Sequence, residues 1–153
     1  MAFRRVNQRE NRLAIKAQLE GLCALAGKPA PVYETHIPEK RGPAKRTDMR
    51  PERLILADVL RFLRKHPNVA VVWREQSGLF QMDDRPIRVG TVGKPDIIGM
   101  LRGGVFFAIE VKSERGILSD SQAYWLETIR YFGGRAGVAR NTEDAEKIIE
   151  RVA

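Results

Sequence analysis

The amino-acid sequence predicts an α/β protein in which a mixed β-sheet is flanked by helices, with an N-terminal helix and an extended basic arm before it. The chain has 153 residues, of which 43% are hydrophobic, enough for one domain with a substantial core. Stretches in which apolar residues recur with helical spacing alternate with short apolar runs that are typical of strands. No apolar run approaches a membrane span, and no hydrophobic signal segment follows residues 1–5, so we expect a cytoplasmic protein.

The N-terminal third is predicted to form one helix and then an extended arm. Residues 7–26 show helical spacing of apolar residues, and Gly27 is a plausible helix end. The apolar stripe of this helix consists of Ile15, Leu19, Leu22, Cys23 and Ala26. Residues 28–50 contain four prolines among many charges, which predicts a linker or a wrapped arm. Cys23 is the only cysteine, so an intrachain disulfide and a cysteine zinc cluster are excluded, and we expect it to be buried.

The rest of the chain follows the order helix, strand, β-excursion, two strands, helix, strand and helix. A proline suits the first turn of a helix, a Ser-x-x-Gln capping box opens one, and a glycine ends one. These signals predict a helix from near Pro51 to before Pro67, a strand over Val69–Arg74, a β-excursion within 77–92, strands over 96–101 and 105–112, a helix from Ser119 to Phe132, a strand over Arg135–Arg140, and a helix capped by Asn141 or Thr142.

The loop Arg102-Gly103-Gly104 predicts a β-hairpin with a defined register. Three-residue hairpin loops commonly end in a glycine with a left-handed conformation. With this loop, Leu101 pairs with Val105, and stepping back along both strands pairs Asp96 with Glu110. Directly opposite residues share one face of a sheet, so we expect these two carboxylates to lie together.

Lys112 follows Glu110 by two residues and therefore joins the two carboxylates on the same face. A two-residue loop would instead pair Asp96 with Val111 and separate the three side chains. Two close carboxylates repel each other unless a cation lies between them, and oxygen ligands with room for water suit Mg²⁺ or Mn²⁺. Lys112 could orient a water or stabilise charge on a phosphate. The alternative is a surface hairpin in which Glu110 and Lys112 form a solvated ion pair of little energy.

The charge of the chain favours a polyanionic partner. The net charge is +8 and the pI is about 10.1. Residues 1–47 hold ten Lys and Arg against four Asp and Glu, a net charge of +6. We therefore expect Arg4, Arg5, Lys45 and Arg46 to contact DNA. The alternative is a basic arm that only confers solubility.

An ordered set of motifs covers roughly two thirds of the chain. It consists of Glu52 in a helix, Trp73-Arg74 through Gly78, Gly93-Lys94-Pro95-Asp96-Ile97-Ile98, Ile109-Glu110-Val111-Lys112 and Leu118-Ser119-Asp120-Ser121-Gln122. Together these motifs resemble the VRR-NUC branch of the PD-(D/E)XK, or restriction-endonuclease-like, nuclease superfamily. The resemblance implies a Mg²⁺- or Mn²⁺-dependent endonuclease of DNA with Asp96, Glu110 and Lys112 as its catalytic core. Small stand-alone members of this branch resemble phage or bacterial proteins that act on branched DNA, often as dimers.

Three more residues gain candidate roles in the site through this resemblance. The backbone carbonyl of Val111 is expected to be a metal ligand, and Glu52 a possible additional one, since Glu52 lies on the apolar stripe of its helix. The alternative for Glu52 is an acid that interacts with the helix macrodipole. Gln122 would contact the active-site water or Lys112, and its alternative is a purely capping role.

Arg74 and Lys94 are expected to contact DNA phosphates close to the site. The alternative for Arg74 is a structural ion pair with Glu75 or Asp96. We expect Trp73 and Trp125 to belong to the core. Neither His36 nor His66 has the sequence spacing of a metal ligand.

These observations divide the chain into a basic N-terminal helix and arm, residues 1–47, and a VRR-NUC-like nuclease domain, residues 48–153. The expected function is metal-dependent cleavage of branched DNA, such as four-way (Holliday) junctions, by a homodimer in a bacterial or phage-infected cell. Flaps, ends or linear duplexes remain alternative substrates, and a DNA-binding assembly factor without cleavage is the alternative from another class. The N-terminal apolar stripe could pack on its own domain or pair with a second copy.

Overall fold

A computed structural model describes residues 16–17, 20–21, 23–25, 27, 29, 50–76, 78–82, 85–91 and 93–150. From residue 50 onwards the elements follow the predicted order. They are α1 (Glu52–Lys65), β1 (Val69–Arg74), β2 (Gly78–Met82), β3 (Arg85–Val89), β4 (Ile97–Leu101), β5 (Phe106–Val111), α2 (Asp120–Tyr131), β6 (Arg135–Ala139) and α3 (Thr142–Glu150). None of the helices within these ranges is long and apolar enough to cross a membrane.

The predicted N-terminal helix is seen at the positions that the structure describes. Residues 16–17, 20–21 and 23–25 are helical, and Cys23 is buried as expected. Gly27 ends the helix with φ of +63°, and its N–H donates to the carbonyl of Ala24 at 3.2 Å. The hydroxyl of Tyr131 donates to the carbonyl of Pro29, so this segment contacts the end of α2. The other stripe residues, and the arm apart from Pro29 and Arg50, lie outside the described residues.

Four strands form the central sheet in the order β1-β4-β5-β6. β4 is antiparallel to both β1 and β5, whereas β6 is parallel to β5, so the sheet is mixed. β2 and β3 form a separate two-stranded antiparallel sheet, which is the predicted β-excursion between β1 and β4. The excursion therefore leaves the central sheet after β1 and returns immediately before β4.

Helices cover the central sheet on both faces, which confirms the predicted fold class. On one face, α1 and α3 bury the larger core cluster around Val59, Leu63, Phe107 and Ile149. On the other face, α2 packs on β5 and β6 through a smaller cluster around Leu126. Successive residues of β5 therefore point alternately towards α1 and α3 or towards α2.

The hairpin register is the one predicted. Leu101 donates its N–H to the carbonyl of Val105 at 2.9 Å, and Gly104 has φ of +79°. Ile97 lies opposite Ile109, so one further step along both strands places Asp96 opposite Glu110. The three-residue loop thus brings the two acids to the same face, on the side of the sheet where α2 packs.

Some details differ from the expectations or resolve them. Pro51 is extended and acts as the N-cap of α1 rather than as its first helical residue. Asn141 caps α3, since its Oδ1 accepts the N–H of Asp144 at 2.8 Å. The prediction that Trp73 belongs to the core is wrong, because 43% of this residue is exposed on β1. Trp125 on α2 is partly buried.

Candidate active site

Glu110 is the most buried acid of the candidate site. It lies on the central strand β5 with only 1% of its surface exposed. Its Oε1 accepts a hydrogen bond from Gln122 and lies 2.8 Å from Nζ of Lys112. Its Oε2 is buried and, among the residues that the structure describes, has no hydrogen-bond partner. An unpaired carboxylate oxygen in such a place is costly, so the site is built to receive a further positive or donating group.

Asp96 lies immediately before β4 and is held by the neighbouring strand. Its Oδ2 accepts the backbone N–H of Val111 at 2.9 Å. In return, the backbone N–H of Asp96 interacts with the carboxylate of Glu110. The two acids are therefore fixed to each other's strands by main-chain groups, and their relative position follows from the register.

Burial disfavours the ionisation of both carboxylates. Burial raises the pKa of Glu110 from 4.5 to about 7, with the nearby charge of Asp96 adding to it and the hydrogen bond from Lys112 opposing it. Burial also raises the pKa of Asp96, against the Val111 hydrogen bond and the charge of Lys112. A divalent cation between them would reverse both effects. The donor set, two carboxylates with one oxygen unpaired, fits a hard cation.

Lys112 and Glu52 complete the group of charged side chains around these acids. The side chain of Lys112 is 12% exposed, and its ammonium lies beside Glu110. Glu52 begins α1, and its Oε1 accepts the backbone N–H of Ser113 at 3.0 Å. Its negative charge contributes to the raised pKa of Asp96. Glu52 is thus near the acids but exposed to solvent, as a residue at the rim of the site.

Gln122 forms the predicted capping box and in addition contacts Glu110. Its backbone N–H donates to Oγ of Ser119 at 3.3 Å, and its Oε1 accepts the N–H of Ser119 at 2.9 Å, which forms the predicted capping box. Its Nε2 donates to Oε1 of Glu110. The first turn of α2 and the buried carboxylate are therefore joined through one side chain.

The candidate DNA contacts are only partly within the described residues. Arg74 is exposed at the end of β1, and its charge lowers the pKa of Asp96. Glu75 pairs with Lys94, with 3.1 Å between Oε1 and Nζ, so the two ends of the excursion are joined by an ion pair. Arg4, Arg5, Lys45 and Arg46 lie outside the part of the chain that the structure describes.

Sequence reasoning missed the residues that hold the loop after β5. The guanidinium of Arg140 donates to the carbonyls of Ser113 and Gly116, the latter at 3.0 Å. A Cβ at Gly116 would lie 2.8 Å from Oε1 of Glu52 and 3.0 Å from Cβ of Lys112. A side chain at this position would therefore displace Glu52, and glycine allows the loop to pass close to the site. Arg140 is 24 and 27 residues from its acceptors, so no local sequence signal could have revealed it.

A second group of ligand-type side chains lies elsewhere. His66 follows α1, and its ligand atom lies within 4.8 Å of carboxylate oxygens of Glu146 and Glu150 on α3. The spacing argument missed this group because the three residues come together only in the fold. It lies at the opposite end of α1 from Glu52, about 20 Å away for a helix of this length, and is separate from the candidate active site.

Comparison with models of protein families identifies a match. The model of the VRR-NUC domain family matches residues 53–143, which include Asp96, Glu110, Lys112 and Gln122. Neither the curated proteins nor the solved structures contain a match to this chain.

Proposed function

Since this chain belongs to the VRR-NUC domain family, a nuclease domain of the restriction-endonuclease-like superfamily, we propose that it is an endonuclease that uses a divalent cation to hydrolyse phosphodiester bonds in DNA. The proposed metal ligands are Asp96, Glu110 and the backbone carbonyl of Val111, with Glu52 as a further carboxylate at the rim. The proposed catalytic cation is Mg²⁺ or Mn²⁺.

The observation that carries this proposal is the unpaired, buried Oε2 of Glu110 opposite Asp96. In a purely structural ion pair, Lys112 and Gln122 could each have satisfied one of the two carboxylate oxygens. Here both donors meet Oε1, and the second oxygen remains for a ligand. When bound, a divalent cation supplies charge that polarises the phosphate and makes water more acidic.

The chain's own residues perform the remaining tasks in this proposal. Gln122 and Lys112 hold Oε1 of Glu110, and so fix the direction of Oε2. The ammonium of Lys112 lies where it can orient the attacking water or stabilise negative charge on the phosphate. Both acids must be ionised to bind a cation. Since burial raises both pKa values, the affinity for the cation should increase as the pH rises towards about 7, the pKa of Glu110 in the metal-free protein.

The proposed substrate is branched DNA, with four-way junctions as the first candidate, and the proposed assembly is a homodimer. The family resemblance supports both, and the net charge of +8 supports a nucleic-acid substrate. A twofold dimer would present two sites to opposed strands. Arg74 and Lys94 near the site, and Arg4, Arg5, Lys45 and Arg46 in the arm, are the proposed phosphate contacts.

The decisive experiment is a cleavage assay on branched and linear DNAs with Mg²⁺, Mn²⁺ or EDTA. We expect cleavage with the cations and none with EDTA. Asp96→Ala, Glu110→Ala and Lys112→Ala should each abolish it, while Glu143→Ala, an exposed acid on α3, should not. Calorimetry should show weaker metal binding in the two acid variants but not in Lys112→Ala, since an ammonium is not a ligand.

Two results would overturn the proposal. Cleavage in excess EDTA would remove the cation from the mechanism. Binding to branched DNA without cleavage under any metal condition would favour the assembly factor. Cleavage of linear duplex as fast as of junctions would retain the nuclease but remove the branch specificity.

A further inference from the structure

The candidate site opens on one face of the sheet, and the helices and strands that the structure describes cover only half of that face. α1 and α3 pack on the opposite face. On the face that carries Asp96 and Glu110, α2 packs on β5 and β6. The surface of β1 and β4 on this side is therefore the approach that lies beside the two carboxylates.

This uncovered surface is apolar and partly aromatic. Val71 lies opposite Met100, Met100 lies opposite Phe106, and Trp73 lies opposite Ile98. Opposite residues share a face, so all of them point to the side of Asp96. Val71, Trp73, Met100 and Phe106, hereafter the apolar strip, are 41–45% exposed. Large apolar side chains grouped in this way on a sheet mark a binding surface rather than chance exposure.

The apolar strip begins close to the candidate site. Strand residues rise about 3.4 Å each, so the row of Trp73 and Ile98 lies roughly 7 Å from the row of Asp96, and Met100 about 14 Å from it. The strip therefore extends away from the acids along the strands. A DNA segment with its phosphate at Asp96 would place its neighbouring nucleotides against the strip.

We infer that the apolar strip binds unpaired nucleobases next to the cleaved phosphate, with Trp73 as the stacking residue; this rests on the proposed nuclease function. A duplex presents charged phosphates and sugars to a surface that it crosses, and an apolar strip offers these groups no partner. The flat faces of unstacked bases match an exposed indole ring well. The strip thus selects DNA that is open beside the scissile bond.

A second protein copy is the competing occupant of such a surface. A copy seated on the strip would cover the face from which DNA must reach Asp96 and Glu110. The neighbouring charges also favour DNA, since Arg74 is exposed at the end of β1 and lies near enough to Asp96 for its charge to act on that carboxylate. An apolar strip with an adjacent cation is the arrangement expected of a protein that stacks bases and tracks the backbone.

The test compares the full-length protein with Trp73→Ala, Trp73→Phe and Leu54→Ala. Leu54 is a matched control because it is 46% exposed on α1 and lies outside the strip. Fluorescence anisotropy in EDTA, which prevents metal-dependent cleavage, measures binding to a splayed-arm DNA with two unpaired tracts and to a blunt duplex of equal length. Loss of one base stack should weaken binding to the splayed arm about 5- to 150-fold in Trp73→Ala. Duplex binding should not change, Trp73→Phe should retain most of the affinity, and Leu54→Ala should match the wild type.

A second measurement, tryptophan fluorescence, detects base stacking on Trp73 directly. The chain contains two tryptophans, and Trp125→Phe leaves the emission of Trp73 alone. Nε1 of Trp125 is buried and has no hydrogen-bond acceptor among the described residues. Replacing Trp125 by phenylalanine therefore breaks no hydrogen bond to any of these residues. We expect unpaired DNA to quench the emission of Trp73 and blunt duplex to leave it unchanged.

The inference fails if Trp73→Ala binds both DNAs like the wild type, or weakens both equally. It also fails if light scattering shows that Trp73→Ala turns a wild-type dimer into a monomer, because the apolar strip would then be an interface with a second copy. Because binding is measured without cleavage, these outcomes are distinct from failure of the proposed nuclease function, which would appear as absent cleavage with unchanged selective binding.

Discussion

Replacing Glu110 by glutamine should stabilise the metal-free protein at alkaline pH. The folded-state pKa of Glu110 is about 7, against 4.5 for an unperturbed glutamate. Between these values the folded state holds a proton that the unfolded state has lost. The free energy of unfolding therefore decreases as the pH rises through this window, and the contribution of protonated Glu110 is lost above about pH 7. Each pKa unit corresponds to about 1.4 kcal/mol. At pH 8 the ionised Glu110 therefore costs about 3 kcal/mol, which a neutral glutamine of the same shape does not.

The assay is thermal unfolding in EDTA at pH 5 and pH 8. For a protein of this size, 3 kcal/mol corresponds to a Tm increase of about 6–12 °C for Glu110→Gln at pH 8. The difference from the wild type should largely vanish at pH 5, where the wild-type carboxyl is protonated. Asp96 contributes in the same sense, since burial raises its pKa as well. Glu114→Gln, the same change at an exposed acid, is the control. If the Glu110→Gln protein is no more stable than the wild type at pH 8, Glu110 is not a buried acid with a raised pKa, and the reasoning is refuted.

Three further predictions concern the capping box, the arm and the assembly. Gln122→Ala and Ser119→Ala should each destabilise α2 by about 1 kcal/mol. Only Gln122→Ala should also lower kcat in a cleavage assay, and wild-type activity in that variant would show that Gln122 acts only as a helix cap. Deleting residues 1–47 removes a net +6 and should weaken DNA binding and flatten its dependence on salt, by up to about 5 in the slope of log K against log salt; an unchanged slope would exclude the arm from DNA contact. Leu19→Asp should convert a homodimer into a monomer in light scattering, and a wild type that is monomeric both free and on junction DNA would end the dimer hypothesis.

The parts of the fold that were predictable from sequence have local causes. The loop Arg102–Gly104 sets the hairpin register through its length and its final glycine, which has the expected positive φ. The Ser-x-x-Gln pattern at Ser119 forms the capping box as predicted. In both cases a few adjacent residues determine the backbone, so the pattern is sufficient.

The parts that were not predictable depend on residues far apart in the chain. Strand Val69–Arg74 is apolar on both faces, which is typical of a strand that is buried on both sides. β1 is instead at the edge of the sheet, and the cluster beneath α2 draws on the other three strands, so Trp73 is exposed. Likewise Arg140 reaches the loop at Ser113 only because β5 and β6 are parallel neighbours. Both facts follow from which strand lies next to which, and the sequence pattern of one element does not contain that information.

The burial of Glu110 and the usefulness of its carboxylate have the same origin. The three-residue loop turns Glu110 towards α2 and Asp96, whereas its neighbours Ile109 and Val111 point into the large core. A loop shorter by one residue would place Val111 opposite Asp96, and the pair of acids would be lost. The same register places Glu110 on a central strand beneath α2. Water cannot solvate its charge there, and its pKa rises. The arrangement that destabilises the metal-free protein is therefore the one that would favour binding of the proposed divalent cation.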